Sequence, residues 1–290
     1  MTHIFLYFVA LFSLSQSAAF AKWAAAPPEV IGFWRLLIAG SLVLPWAYWQ
    51  GSLKQQWSEH RGHRKWVYWT GLFFFAHLWT FFYASQHTLI SHTMIIFATN
   101  PLFVALGQWW LSKERPPAKT GLAYALAILS LLIIFRQARG THGSELIGDL
   151  SALAASFFFS IYILLSKKSR EVFNNSVFTS IMYLCTAICF GLMLALSHHS
   201  WTNYPLNTWQ GIGGQILFST LLGHSLIAFL MRYLNITLMT TGKLAEPVFA
   251  SIVASFVFAE PLTGYVGLAF FLTACSLVIL FWPFKKSKAS

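Results

Sequence analysis

The sequence predicts an all-α integral membrane protein of ten transmembrane helices, arranged as two inverted five-helix repeats. Three observations lead to this prediction: an apolar composition, ten apolar runs of spanning length, and an internal repeat. Of the 290 residues, 57% are AVILMFWYC and only 9% are Asp, Glu, Lys or Arg. Soluble domains carry about 25% charged residues. Ten spans of about 20 residues leave no room for a sizeable water-soluble domain.

The apolar runs follow one another with short polar breaks between them. Each is long enough to cross a bilayer as a helix. In chain order they cover residues 3–22, 29–49, 66–85, 89–111, 119–135, 148–166, 176–197, 210–231, 238–259 and 263–283. Residues 4–14 form an apolar run of signal-peptide length, and Ala19-Phe20-Ala21 has the pattern of a cleavage site. Because no Lys or Arg precedes this run, we expect an uncleaved first span.

Lys and Arg are distributed unevenly between the two sides that alternate connections define. One side carries fourteen of these residues and the other carries three, which are Lys22, Arg136 and Arg139. Basic connections stay in the cytoplasm, so we expect a multi-pass protein of the inner (plasma) membrane with both termini cytoplasmic. The formal charge of +11 is then explained by orientation in the bilayer, and we expect no nucleic-acid partner.

Motifs for common enzymes and for metal binding are missing from the sequence. Cys185, Cys189 and Cys275 all lie inside apolar runs, which does not favour a metal site. There is no P-loop, no HExxH motif and no GxSxG motif. We therefore expect a protein that is not an enzyme and that needs no cofactor and no metal.

An internal repeat appears when the sequence is shifted by 146 residues. Residues 100–135 align with 246–281 without a gap, and eleven of the 36 positions are identical, among them Pro101/Pro247 and Glu114/Glu260. The first span pairs with the sixth at the same offset. Because five is odd, the second half must be inverted relative to the first, which is a transporter architecture. We expect repeats at 1–140 and 147–284 and a basic cytoplasmic tail at 285–290.

Three stretches resemble those of a known family: NPLFVALGQWWLSKERPPAKTG, its repeat partner EPVFASIVASFVFAEPLTGYVG, and PPEVIGFWRLLIAG. Over nearly the whole chain the sequence resembles EamA-type permeases of the drug/metabolite transporter superfamily. The resemblance implies a ten-helix bundle around a central cavity. The first, third, fourth, sixth, eighth and ninth spans would line that cavity. The fifth and tenth would pack at the periphery, toward a second subunit in a possible homodimer.

Two opposite charges stand out inside the ninth span. Lys243 and Glu246 are three residues apart and so share one helix face. A charge within a span is costly, which makes such residues functional candidates. The pair could line the cavity, with Lys243 attracting an anionic group and Glu246 binding an amino group or a proton. Alternatively, the two could form an internal ion pair that only fixes the packing.

Three further polar residues lie near the middle of their spans. Asn100 occupies the position that matches Glu246 in the other half. It could bind substrate, or it could bond a backbone carbonyl that Pro101 leaves without its helical partner. His77 and His224 could relay a proton or bind substrate, or each could be a satisfied core histidine.

The remaining candidates fall into two groups. Gln16 and Tyr162 belong to polar faces of the first and sixth spans and are candidate cavity-lining residues. The resemblance implies a structural role for Arg35. We expect anchoring or gating roles for the repeated residues, which are Glu114, Glu260, Pro101 and Pro247.

Together these features predict a secondary transporter for a small-molecule substrate in the lipid bilayer. By resemblance, the substrate is an amino acid or a related compound. We expect it to be moved by alternating access and exported. Two alternatives stay open: an exchanger of nucleotide-like metabolites, and a non-transporting membrane scaffold.

Overall fold

A computed structural model describes residues 2–112, 119–138, 144–230, 233–234 and 245–281. Within these ranges the chain is helical and contains no strand, and each of the ten predicted spans coincides with one or more helices. The first five spans contain, in order, α1 (Thr2–Ser15) with α2 (Ser17–Ala24), α3 (Pro28–Trp49), α5 (Arg64–His87), α6 (Ile90–Phe97) with α7 (Asn100–Ser112), and α8 (Lys119–Ala138). A short helix α4 (Ser52–Glu59) and a 3₁₀ turn (Arg61–His63) connect the second span to the third. The last five spans contain, in order, α9 (Ser144–Arg170), α10 (Asn175–Ser197), α11 (Leu206–Gly214) with a π-helix (Gln215–His224) and α12 (Ser225–Leu230), α13 (Ala245–Phe258), and α14 (Gly264–Phe281).

Seven of these helical segments are long and apolar enough to cross a membrane. α5 is long enough at 24 residues but is not among the seven, and it carries Trp, Tyr, His and Gln side chains that are less apolar than aliphatic ones. The ninth and tenth spans contribute shorter apolar helices within the described ranges. The structure therefore confirms an all-helical membrane fold, while the count of ten spans stays a prediction.

Helices pack across the two halves of the chain in a regular order. The most extensive packing joins the third span to the sixth, the second to the seventh, and the fifth to the tenth. The first span also packs against the eighth, and the fourth against the ninth. Two equivalent five-helix units related by a two-fold axis would produce this set of pairs.

Three spans are interrupted near their middle. The helix of the first span is interrupted at Gln16, between α1 and α2, and that of the fourth span at Ala98 and Thr99, between α6 and α7. The eighth span contains ten residues of π-helix, an uncommon conformation that is frequent at functional sites. Interrupted spans point to the binding site in transporters because they free backbone groups inside the membrane.

Glycines allow the first and eighth spans to approach closely. A Cβ atom on Gly214 would lie 2.4 Å from the ring of Phe20, and one on Gly211 would lie 2.7 Å from the Cβ of Ala24. Small residues permit such contacts between membrane helices. These contacts join the first span, which carries Ser17, to the eighth span, which carries His224.

Candidate functional site

A small cavity lies at the centre of the bundle, where six spans meet. Its volume is about 20 Å³, enough for roughly one water molecule. The lining side chains come from the first, third, fourth, sixth, eighth and ninth spans, which are the six that the resemblance implies. They are Leu14, Ser17, His77, Leu78, Phe81, Met94, Phe97, Phe159, His224 and Glu246. The cavity is too small for a metabolite, so this conformation is closed.

Three titratable side chains face this cavity. Glu246 is 4% exposed, His77 3% and His224 7%. The two imidazole ring centroids are 6.5 Å apart. His77 Nδ1 lies 3.1 Å from the carbonyl oxygen of Ala155 and must donate there, because a carbonyl only accepts. When His77 is neutral, its Nε2 is therefore the acceptor nitrogen.

Aromatic rings form much of the remaining wall. The ring of Phe97 stacks on His77 at 5.2 Å between centroids, and Phe159 lies at 4.9 Å from the same imidazole. Phe74 stands behind them, 5.0 Å from His224 and 4.7 Å from Tyr162. The site thus combines a carboxyl group and two imidazoles with an apolar, ring-lined surface.

A hydrogen-bond network supports the cavity wall at the interruption of the first span. Ser17 Oγ donates to Gln215 Oε1 at 3.0 Å, and Gln215 Nε2 donates to the Ser17 carbonyl at 2.7 Å. Arg35 Nη1 also donates to Gln215 Oε1, at 2.8 Å, and Arg35 Nε donates to Thr220 Oγ1 at 2.7 Å. Arg35 is fully buried and is not among the described residues that line the cavity, and its structural role stays a prediction.

Arg35 is a buried cation for which the described residues supply no carboxylate within 4.0 Å. The ring of Phe82 lies 5.6 Å from its guanidinium carbon. Within the same described part of the chain, Arg35 Nη2 has no hydrogen-bond partner. Its charge is therefore balanced by dipoles and by an aromatic face.

Asn100 lies at the interruption of the fourth span and not at the cavity. Its Nδ2 donates to the Phe97 carbonyl at 2.9 Å. Phe97 is four residues before Pro101, so this is the carbonyl that proline leaves without a helical donor. Ser156 Oγ donates to the same carbonyl at 3.3 Å. This contact is the one that the second of its two considered roles requires, and the role of Asn100 stays a prediction.

Gln16 and Tyr162 are also buried beside the cavity without being among its described lining residues. Gln16 Nε2 donates to Ser15 Oγ at 2.8 Å at the break of the first span. Tyr162 packs against Phe74. Both support the wall.

Glu260 joins three elements at the membrane face with few Lys and Arg residues. Its Oε1 accepts a bond from Lys22 Nζ at 2.5 Å, and its Oε2 accepts one from the Ile90 backbone N–H at 2.8 Å. Ile90 begins α6, where a carboxylate is favoured by the helix dipole. Glu260 thus ties the first span, the fourth span and the connection before the tenth.

A second carboxylate ties the same face. Glu29 Oε1 lies 2.6 Å from His199 Nδ1, and its Oε2 accepts a bond from Trp79 Nε1 at 3.3 Å. In the nearby connection, burial and the negative charge of Glu29 raise the pKa of Tyr204. Glu260 and Glu29 thus both make polar contacts between spans and connections at this face.

Two of the predicted residues, Lys243 and Glu114, lie outside the described residues. Pro247 is buried in α13, two residues after the first described residue of that helix. Among the described residues, no group of three His, Cys, Asp or Glu side chains could hold a metal ion.

Sequence reasoning missed a buried polar cluster around Asp149, at the start of the sixth span. Asp149 Oδ1 accepts a bond from Thr88 Oγ1 at 2.7 Å and lies 3.3 Å from His92 Nδ1. His92 Nε2 lies 3.3 Å from the hydroxyl of Tyr265. An acidic residue at the edge of an apolar run was the signal that could have found it.

Comparison with known proteins connects this architecture to transporters. The model of the EamA-like transporter family matches residues 1–136 and 146–282. The chain is similar to the uncharacterized transporter YwfM of Bacillus subtilis, with 25% identity over 92% of this chain and 88% of that protein. An uncharacterized transporter of Clostridium kluyveri is 23% identical over 66% of this chain and 63% of its own length. The fold is also similar to that of a solved crystal structure, with a TM-score of 0.70 and 16% sequence identity. The match covers 97% of this chain and 97% of that chain, and it shows the fold.

Proposed function

Because the chain belongs to the EamA-like transporter family, we propose that this membrane permease moves a small metabolite, an amino acid or a related compound. It works by alternating access and as an exporter. The observation that carries the proposal is the central cavity, which places Glu246, His77 and His224 together where interrupted spans meet.

The chemistry of the cavity supports a solute with an amino group and an apolar part. Glu246 supplies a carboxyl group that can bind an ammonium group. The rings of Phe81, Phe97 and Phe159 supply an apolar surface for a side chain. Two neutral imidazoles can each donate and accept a hydrogen bond.

The closed cavity supports alternating access as the mode of transport. A volume of about 20 Å³ cannot hold an amino acid, so the lining spans must separate to admit one. The contacts of Glu260 and Glu29 close the face that has few Lys and Arg residues. In this proposal those contacts break when the cavity opens to that side.

The distribution of charge supports the proposed placement in the membrane. Fourteen Lys and Arg residues on one side favour a cytoplasmic location for that side and for both termini. The fifth and tenth spans pack together and expose apolar side chains such as Ile128, Leu132 and Phe271. A second subunit would pack on this face.

Ligand-dependent thermal unfolding of the purified protein tests the substrate class. We expect amino acids with apolar side chains to raise the Tm, and their analogues without the amino group to have no effect. Glu246→Gln should remove the shift, whereas Glu171→Gln, at an exposed position, should preserve it. A shift produced by nucleotides alone, or by the des-amino analogues equally, would contradict the proposed class.

A further inference from the structure

A second, larger pocket lies between the second, seventh and eighth spans. Its volume is about 460 Å³, within the range of small-molecule sites. It lies at the membrane face that carries most of the Lys and Arg residues, near the ends of α3 and α9. Among the described residues, none lines both this pocket and the central cavity.

One half of this pocket is polar and basic. Arg170 is the single charged lining side chain among the described residues, and no acidic side chain there lines the pocket. Arg170 is 6% exposed, and its Nη1 donates to the Phe173 carbonyl at 2.5 Å, which holds the side chain in place. The pocket therefore offers a fixed positive charge.

An amide beside Arg170 has unused hydrogen-bonding capacity. Asn175 Nδ2 donates to the Ser225 carbonyl at 3.1 Å. Its Oδ1 is buried and, in the described part of the chain, has no hydrogen-bond partner. A buried acceptor without a partner is costly. The neighbouring Asn174 Oδ1 is already occupied by the Val177 backbone N–H at 2.9 Å. The pocket thus fits a ligand that carries an anion and an adjacent donor.

The other half of the pocket is apolar and opens sideways. Val43, Trp46, Leu221 and Phe229 line it. Trp46 and Tyr233 are each 54% exposed, and Trp and Tyr side chains favour the level of the lipid head groups. A ligand in this pocket would therefore contact the surrounding lipid.

We propose that this pocket binds one anionic glycerophospholipid with a hydroxylated head group. The phosphate binds Arg170, a head-group hydroxyl donates to Asn175 Oδ1, and an acyl chain follows Trp46 and Phe229. Basic pockets between membrane helices bind such head groups. A soluble phosphate compound shares the head-group chemistry, but it would leave the apolar half unfilled.

The position of the pocket connects it to the transport site. Ser225 lines the pocket and directly follows His224, which lines the central cavity. Ser225 Oγ also lies 3.0 Å from the hydroxyl of Tyr183. A bound lipid therefore holds the end of the π-helix that carries His224.

Native mass spectrometry of the delipidated full-length protein tests this proposal. Phosphatidylglycerol, phosphatidylcholine and glycerol 1-phosphate would be titrated separately. We expect one phosphatidylglycerol to be retained per chain, with affinity about tenfold lower in Arg170→Gln because one charge-assisted contact is lost. Lys167→Gln, which removes an exposed charge at the same helix end, should leave the affinity unchanged.

A second variant tests the proposal even where Arg170→Gln fails to fold. Val43→Trp fills the apolar half without changing charge, and it should reduce retention at least tenfold. Equal losses in Arg170→Gln and Lys167→Gln would mean non-specific attraction and would overturn the site. The lipid assignment would be overturned if glycerol 1-phosphate bound saturably, lost affinity in Arg170→Gln to the same extent, and bound as tightly as phosphatidylglycerol.

Discussion

At the scale of single residues, polar side chains beside the cavity serve the interrupted backbone. Asn100 satisfies the carbonyl of Phe97, and Gln215 bonds both the hydroxyl and the carbonyl of Ser17. Arg35 holds Gln215 from behind. In the bilayer core such bonds are required because water is not available there.

The role of Asn100 gives a prediction with two variants. Asn100→Leu should lower the stability by about 1 kcal/mol, since the Phe97 carbonyl loses one donor. In a Pro101→Ala background the same change should cost much less, because the substituted alanine supplies a backbone N–H to that carbonyl. Thermal unfolding in detergent measures both values. An equal cost in the two backgrounds, or lost transport with unchanged Tm, would instead support a substrate contact.

At this scale the sequence could identify residues but not always their contacts. Glu246, His77 and His224 are predictable because charged and imidazole groups inside apolar runs are rare. All three line the cavity. The two roles of Asn100 could not be separated, since the choice depends on the direction of one side chain. Asp149 was missed because it stands at the edge of its run.

At the scale of helices, close packing joins the third and sixth spans at Gly148. A Cβ atom on Gly148 would lie 2.8 Å from the His87 carbonyl carbon and 2.9 Å from the Thr88 Cβ. The His87 carbonyl belongs to the backbone and the Thr88 Cβ is attached directly to it, so neither atom can move aside easily. The same contact places Thr88 beside Asp149.

Gly148→Ala should therefore destabilise the protein by about 1–3 kcal/mol through overpacking. Gly267→Ala is the matched control, because a Cβ there meets nothing within 4 Å. Alanine is the better helix former by about 1 kcal/mol, so the control should be neutral or stabilising. Thermal unfolding measures the stability of both variants. A Gly148→Ala variant as stable as the wild type would contradict the close contact at Gly148.

The helices themselves follow from the apolar runs, and their ends agree with the predicted spans to within a few residues where they are described. The π-helix in the eighth span was not predictable. Its apolar pattern does not differ visibly from that of an α-helix. Within it, Gln215 and Thr220 bond to Arg35, which is far away in the sequence.

At the scale of the whole molecule, the two halves meet in a closed bundle. Glu260 ties the first and fourth spans at one face through Lys22 and Ile90. The repeat in the sequence could predict paired halves. It could not predict these ties, which join residues far apart in the chain.

Loss of the Glu260 tie should open this face. In a protein with Cys185, Cys189 and Cys275 replaced by serine, Ser17→Cys places a thiol at the cavity. A membrane-impermeant maleimide should label that thiol several times faster when Glu260→Gln is added. Glu59→Gln, an exposed change on α4, should have no effect. Unchanged labelling in Glu260→Gln would show that the tie does not close the face.

The central claim is that the cavity around Glu246 is the transport site of a permease. The most direct measurement is release of a pooled amino-acid mixture from proteoliposomes, followed by mass spectrometry. We predict that at least one amino acid leaves faster than from protein-free liposomes and that Glu246→Gln slows this release about tenfold or more. Release by Glu246→Gln at the wild-type rate would contradict the claim.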